Sequence, residues 1–108
     1  MTEKEIQKQI IDYLRLRRIP ATRHQCGAAH HRGGHINMGE AGWPDIIACL
    51  PDGRFLGIEV KRKEGKLRPA QSERITELLG NNAAIVVARS VEDVEKALTD
   101  ASLPMEDR

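Results

Sequence analysis

The chain has 108 residues, of which 40% are apolar and 31% charged, with a formal net charge of +1. That length suits one domain with a single core, and the near-neutral charge excludes a general polyanion binder. Two cysteines exclude a disulfide framework. Neither a signal peptide nor an apolar run long enough to span a bilayer is present, so the sequence reads as intracellular, with reduced thiols and no membrane partner.

The charge is unevenly placed. No acidic residue occurs between Tyr13 and Gly39, while Arg15, Arg17, Arg18, Arg23 and Arg32 fall there with all four histidines. Lys61, Arg62, Lys63, Lys66 and Arg68 form a second basic run, and Glu92, Asp93, Glu95 and Asp100 are acidic. This polarity suits a nucleic acid lying across one side.

A first helix is expected from about Glu3 to Arg17. Thr2-x-x-Glu5 is a capping-box pattern, and Ile6, Ile10, Tyr13, Leu14 and Arg17 follow helical spacing. Pro20 ends the helical region, and Ala21 to Gln25 reads as a short strand. Cys26 to His35 reads as a glycine-rich loop, open to the close approach of another backbone. Arg23, His24, His30, His31 and Arg32 are placed to donate to DNA phosphates. His24, Cys26, His30, His31 and His35 could instead supply four zinc ligands, although their spacing matches no closed zinc pattern. An exposed loop without a ligand is the third reading.

Gly42-Trp43-Pro44-Asp45 leads into the central feature. Ile46 to Leu50 and Arg54 to Ile58 are apolar runs around Pro51-Asp52-Gly53, which reads as a hairpin. A three-residue loop with Gly53 in the left-handed region pairs Leu50 with Arg54 and Asp45 with Glu59. Asp45, Glu59 and Lys61 then share one face, and Ile46, Ala48, Leu50, Leu56, Ile58 and Val60 form the core face. A two-residue loop would throw the two carboxylates to opposite faces. Cys49 is expected as a plain core thiol, and Trp43 as packed against the core rather than stacked on a base.

Two carboxylates and a lysine on one face can hold Mg²⁺, which binds through one or two carboxylates plus a substrate phosphate. They can equally form only an edge ion pair of little consequence. Beyond Lys61 the chain leaves the sheet. A helix starts near Arg68-Pro69, with Ile75, Leu78 and Leu79 inward and Gly80 at its end. Gln71, one turn in, can reach toward the site or remain a surface amide. Ala84 to Ala88 reads as a buried strand. Ser90 to Asp93 caps a last helix with Val91, Val94 and Leu98 inward, and residues 101–108 read as a flexible tail.

Pro44-Asp45 followed by Glu59-x-Lys61 resembles the motif of the PD-(D/E)xK nuclease superfamily. The Gly42-x-Pro44-Asp45 form, the small size and Gln71 in the following helix resemble the VRR-Nuc family (virus-type replication-repair nucleases). The resemblance implies an α/β fold over residues 1–100, a restriction-endonuclease-like mixed sheet flanked by helices in the order α-β-β-β-α-β-α. It implies an endonuclease dependent on Mg²⁺ or Mn²⁺, with Asp45, Glu59, Lys61 and Gln71 catalytic. The Val60 carbonyl is implied as a further metal ligand, and Glu5 matches the first-helix glutamate that such nucleases place near the metal. Lys63, Lys66 and Arg68 join the expected DNA contacts. Branched DNA, such as a four-way junction, is the implied substrate and a homodimer the implied assembly, in the cytoplasm of a bacterium or of a phage-infected host. The alternatives are a non-catalytic DNA-binding module that keeps the fold and a zinc-stabilised interaction module built on the histidine loop.

Overall fold

The computed structural model describes residues 1–24, 28–31, 34–37 and 40–100. The elements follow as α1 (Glu3–Leu16), β1 (Ala21–Arg23), β2 (Ala28–His31), β3 (Gly34–Asn37), β4 (Ile46–Cys49), β5 (Phe55–Val60), α2 (Pro69–Gly80), β6 (Ala84–Ala88) and α3 (Val91–Asp100). Strands β1, β4, β5 and β6 form one sheet in that spatial order, and β2 pairs with β3 in a separate ribbon. The β1–β4 and β4–β5 pairs are antiparallel and β5–β6 is parallel, with α2 as the crossover. The sheet is therefore the mixed one expected. The ribbon is an addition: it begins inside the stretch read from sequence as a loop, Cys26 to His35, and runs on to Asn37.

Each helix begins on a defined polar contact. Thr2 accepts from the Glu5 N–H at 3.1 Å, and the Glu5 carboxylate accepts from the Thr2 N–H at 3.3 Å, a reciprocal capping box. Ser90 accepts from the Asp93 N–H at 3.3 Å at the start of α3, and Asp93 accepts from the N–H of Arg89, one residue before the cap, at 2.8 Å. The chain leaves α2 through Asn82, whose φ of +67° supplies the left-handed step; Gly80 is the last helical residue.

The central hairpin has the three-residue loop. Cys49 pairs with Phe55 and Ile46 with Ile58. The Leu50 N–H donates to Arg54 O at 2.9 Å, the Gly53 N–H to Leu50 O at 2.8 Å, and Gly53 has φ +91°. This register sends Ile46, Leu50, Leu56, Ile58 and Val60 into the core with Ile6, Ile10 and Leu14 of α1 and Val94 and Leu98 of α3. Full burial of each such side chain contributes roughly 1.5–3 kcal/mol before chain ordering is counted against it. That cost of slippage is what holds the register, because a shift by one residue would turn this whole set to the other face.

The second face is covered less completely, since α2 packs along β6, at one edge of the sheet. Two expectations fail for that reason. Cys49 belongs to the second face near the β1 edge, out of reach of α2, and is exposed rather than a core thiol. Leu79 is 54% exposed, and α2 has no fully buried residue, because its contact with β6 is narrow. Ile75 and Leu78 are half-buried there. Residues 101–108, Cys26 and Arg32 lie outside the described residues. Among the described residues no helix is long and apolar enough to cross a membrane.

Candidate active site

The site forms where the β4–β5 hairpin meets the first turn of α2. Gly42 has φ +96°, and a Cβ there would stand 2.5 Å from the Ala70 carbonyl oxygen. Only glycine lets this turn press onto the start of α2. Pro44 is buried, and Gly57 across the hairpin makes room for it: a Cβ on Gly57 would stand 2.6 Å from Pro44 Cγ. Trp43 is half-buried, lying edge-on to Phe55 at 6.4 Å with the Arg74 guanidinium 4.7 Å from its ring centre, so it packs within the fold as expected. Gly42→Ala should therefore lower stability by at least the 1–3 kcal/mol typical of a left-handed non-glycine residue, roughly, with the clash adding to it. A melting curve against the parent protein checks this.

Asp45 follows directly. Its backbone carbonyl accepts from the His24 N–H at 2.7 Å, which ties it to the end of β1. Its Oδ2 accepts from the Val60 N–H at 2.8 Å, which aims the carboxylate across the hairpin toward β5. Glu59 is 1% exposed and Lys61 8% exposed, both unusually buried for ionisable groups. Gln71 bridges the two elements: the Arg68 N–H donates to its Oε1 at 2.8 Å, and its Nε2 donates to Glu59 Oε1 at 2.9 Å. The helix cap thus orients the amide that holds the carboxylate. Lys61 Nζ stands 3.9 Å from the same oxygen, an ion pair rather than a hydrogen bond.

The remaining oxygen, Glu59 Oε2, is buried and accepts no hydrogen bond. The Glu59 carboxyl is pushed up to about 8 from its ordinary 4.5, chiefly by burial. The Asp45 carboxylate adds to the rise, through a hydrogen bond to the protonated acid and through charge repulsion; Lys61 opposes it, and Glu3 adds a small further rise. A cation bound between the two groups would favour the ionised form of Glu59.

Sequence reasoning put Asp45, Glu59, Lys61 and Gln71 together, and the structure does the same. It does not bring Glu5 into this group. Glu5 is exposed and its carboxylate serves the Thr2 cap. The acid of α1 that acts on Glu59 is Glu3, whose Oε2 also accepts from the Arg62 N–H at 3.3 Å. The signal was legible: stepping back three residues from Ile6 along the buried stripe reaches Glu3, whereas Glu5 lies off that stripe. Of the expected DNA contacts, Arg23, Lys63, Lys66 and Arg68 are exposed and His24 is half-buried. His30 and His31 lie on β2, paired with His35 and Gly34 of β3. Among the described residues, no cluster of three or more His, Cys, Asp or Glu side chains is placed to hold a metal. The acidic pair alone suits an ion that completes its shell with water and phosphate oxygens.

Comparison with known proteins bears on the family and the fold. The VRR-NUC domain family matches residues 2–92. A solved structure described as a VRR_NUC domain superposes with a TM-score of 0.68 at 21% identity, covering 91% of this chain and 95% of that one. A second, described as a VRR_NUC domain protein, gives 0.60 at 24% identity, covering 92% and 86%. No curated protein matches the chain. At those identities the structural likeness speaks for the fold alone, and the family match over residues 2–92 goes further: the chain belongs to the VRR-NUC family, with the nuclease fold of a DNA-processing domain.

Proposed function

We propose that the chain is an endonuclease that hydrolyses DNA phosphodiesters with Mg²⁺ or Mn²⁺, acting inside the cell on branched or otherwise structured DNA as a homodimer. The observation that carries this reading is the buried Glu59 beside the Asp45 carboxylate, its Oε2 accepting no hydrogen bond. Once Glu59 is ionised, that buried oxygen has no donor, which is costly, and a hard cation is the partner that would relieve it. Asp45 and Glu59 would hold the ion, with the Val60 carbonyl and Glu3 as further candidates. The ion would acidify a bound water and offset charge on the phosphate.

The chain's own groups have separable roles. Gln71 fixes the Glu59 rotamer. Val60 fixes Asp45. Lys61, held on the rigid strand end, orients the attacking water or a phosphate oxygen. The β2–β3 ribbon joins the core between Arg23 and Asp45, so its histidines are carried from the same end of the sheet as the carboxylates. Arg23, His24, His30, His31 and Arg32 on one side, and Lys63, Lys66 and Arg68 on the other, would flank a DNA backbone there. One acidic pair on so small a domain addresses one strand, and a symmetric dimer would address two, which suits a junction.

The test is Mg²⁺-dependent cleavage across single-stranded, duplex, flap and four-way junction DNAs. Cleavage with a preference for the branched forms is expected. Binding to all of them without any cleavage, in Mg²⁺ and in Mn²⁺, would instead make the chain a DNA-binding module. Arg32→Ala should weaken binding to every DNA alike and lower the salt slope of affinity by about one unit, measured by titration across salt concentrations.

A further inference from the structure

A cavity of about 550 Å³ lies between α1 and the turn that follows β5, with Arg62 on its wall three residues after Glu59. Its cationic wall is Arg62, Lys63 and Arg89, and its apolar wall is Ile6 and Met1. The turn that carries two of these cations is fixed. The Gly65 N–H donates to Arg62 O at 2.8 Å, and the Arg89 guanidinium donates to Gly65 O at 2.8 Å. Glu3 stands between the cavity and the acidic pair: it lines the cavity, accepts from the Arg62 N–H and acts on Glu59. Glu3 and Arg62 thus connect the opening to the strand end that carries Glu59.

We propose that the cavity formed by α1 and the Arg62–Gly65 turn binds the nucleotide adjoining the cut phosphodiester, as a nucleoside monophosphate unit. This rests on the nuclease reading for its role, but the binding itself does not require cleavage. The volume lies within the 300–1,000 Å³ or so usual for small-molecule sites. Arg62 and Lys63 supply donors for one phosphate, while Met1, over the edge of the buried Ile6, offers an apolar surface to the sugar and base. Glu64, also on the rim, and Glu3 leave the opening only mildly cationic, which favours one phosphate over a polyphosphate. The carboxylate of Glu64 can accept from a base amino group or a sugar hydroxyl.

The experiment titrates isotope-labelled protein with thymidine 5′-monophosphate in the absence of metal, following backbone amides. The parent chain, Asp45→Asn, and the double variant Arg62→Glu with Lys63→Glu are compared. Both cavity residues are exposed, and the amide spectrum itself reports whether the variant is folded. Saturable shifts at Ile6, at Arg62 to Gly65 and at Arg89 are expected in the parent and in Asp45→Asn. The double variant should bind at least about tenfold more weakly, the effect of one lost charge-assisted contact. Inorganic phosphate should bind more weakly than the nucleotide. Absence of saturation, shifts confined elsewhere, equal affinity for inorganic phosphate, or undiminished affinity in the double variant each overturns the proposal. A chain that binds the monophosphate but cleaves no DNA keeps the cavity and sinks the nuclease reading; one that cleaves DNA without binding it does the reverse.

Discussion

Glu59→Gln should abolish cleavage while flattening the dependence of stability on pH. In the folded chain the Glu59 carboxyl sits at about 8, and its ordinary value is 4.5. Between those values the unfolded chain has released the proton and the folded chain retains it. Stability therefore falls as pH rises through that window, and its full contribution is present only below about 4.5. Glutamine imitates the protonated acid. It can still accept from Gln71, and its own amide can donate toward Asp45, so the buried cluster stays satisfied at every pH. The variant should be at least as stable as the parent at neutral pH, and its stability should vary less between pH 5 and 8. The parent should recover stability at the upper end of that range when Mg²⁺ is added, because ion binding favours the ionised pair. The glutamine variant should recover little, and it should not cut DNA. Denaturant melts at several pH values, with and without Mg²⁺, check this. A parent chain whose stability rises from pH 5 to 8 without metal would contradict it.

Lys61→Ala should cut the single-turnover rate by about 10²–10³, the usual consequence of losing one preorganised donor at the developing charge. Lys61 is 8% exposed and its backbone N–H donates to Ala88 O at 2.9 Å, so its ammonium has little freedom to move away. At 3.9 Å from Glu59 Oε1 it shares the acid that would hold the ion. Removing that positive charge should leave metal affinity unchanged or slightly improved. A lysine of structural value only predicts the opposite pattern, with reduced stability and a nearly normal rate per folded molecule. Single-turnover cleavage at saturating enzyme, with a metal titration and a melting curve, separates the two. A rate near that of the parent would leave Lys61 as part of the scaffold.

The centre of the site was legible because local rules converge there. Pro51-Asp52-Gly53 selects a three-residue loop, the loop selects the register, and the register sets Asp45 opposite Glu59. The apolar residues on the alternate positions enforce the same answer. Gln71 was legible for a similar reason, since Pro69 marks the first turn of α2 and so its distance from the strand end. What escaped depends on how much of a surface its neighbours cover. Cys49 lies in an apolar run, but its exposure turns on α2 lying along β6 rather than across the sheet. Glu3 falls in step with the buried stripe of α1 and Glu5 out of step, and the capping box commits the carboxylate of Glu5, so periodicity and capping together favoured Glu3 over the residue that the resemblance implied. The β2–β3 ribbon escaped because alanine, glycine and histidine make up most of it and carry little strand preference.

Whether the Asp45–Glu59 pair is the hydrolytic centre comes down to one measurement. The measurement is single-turnover cleavage of a labelled four-way junction by the parent chain and by Asp45→Asn. It is run with Mg²⁺ and with a chelator, alongside junction binding at matched salt. The parent should cut only with the metal. Asp45→Asn should bind the junction with nearly unchanged affinity, melt near the parent temperature and fail to cut. Undiminished cleavage by Asp45→Asn, or metal-independent cleavage by the parent, would contradict the account.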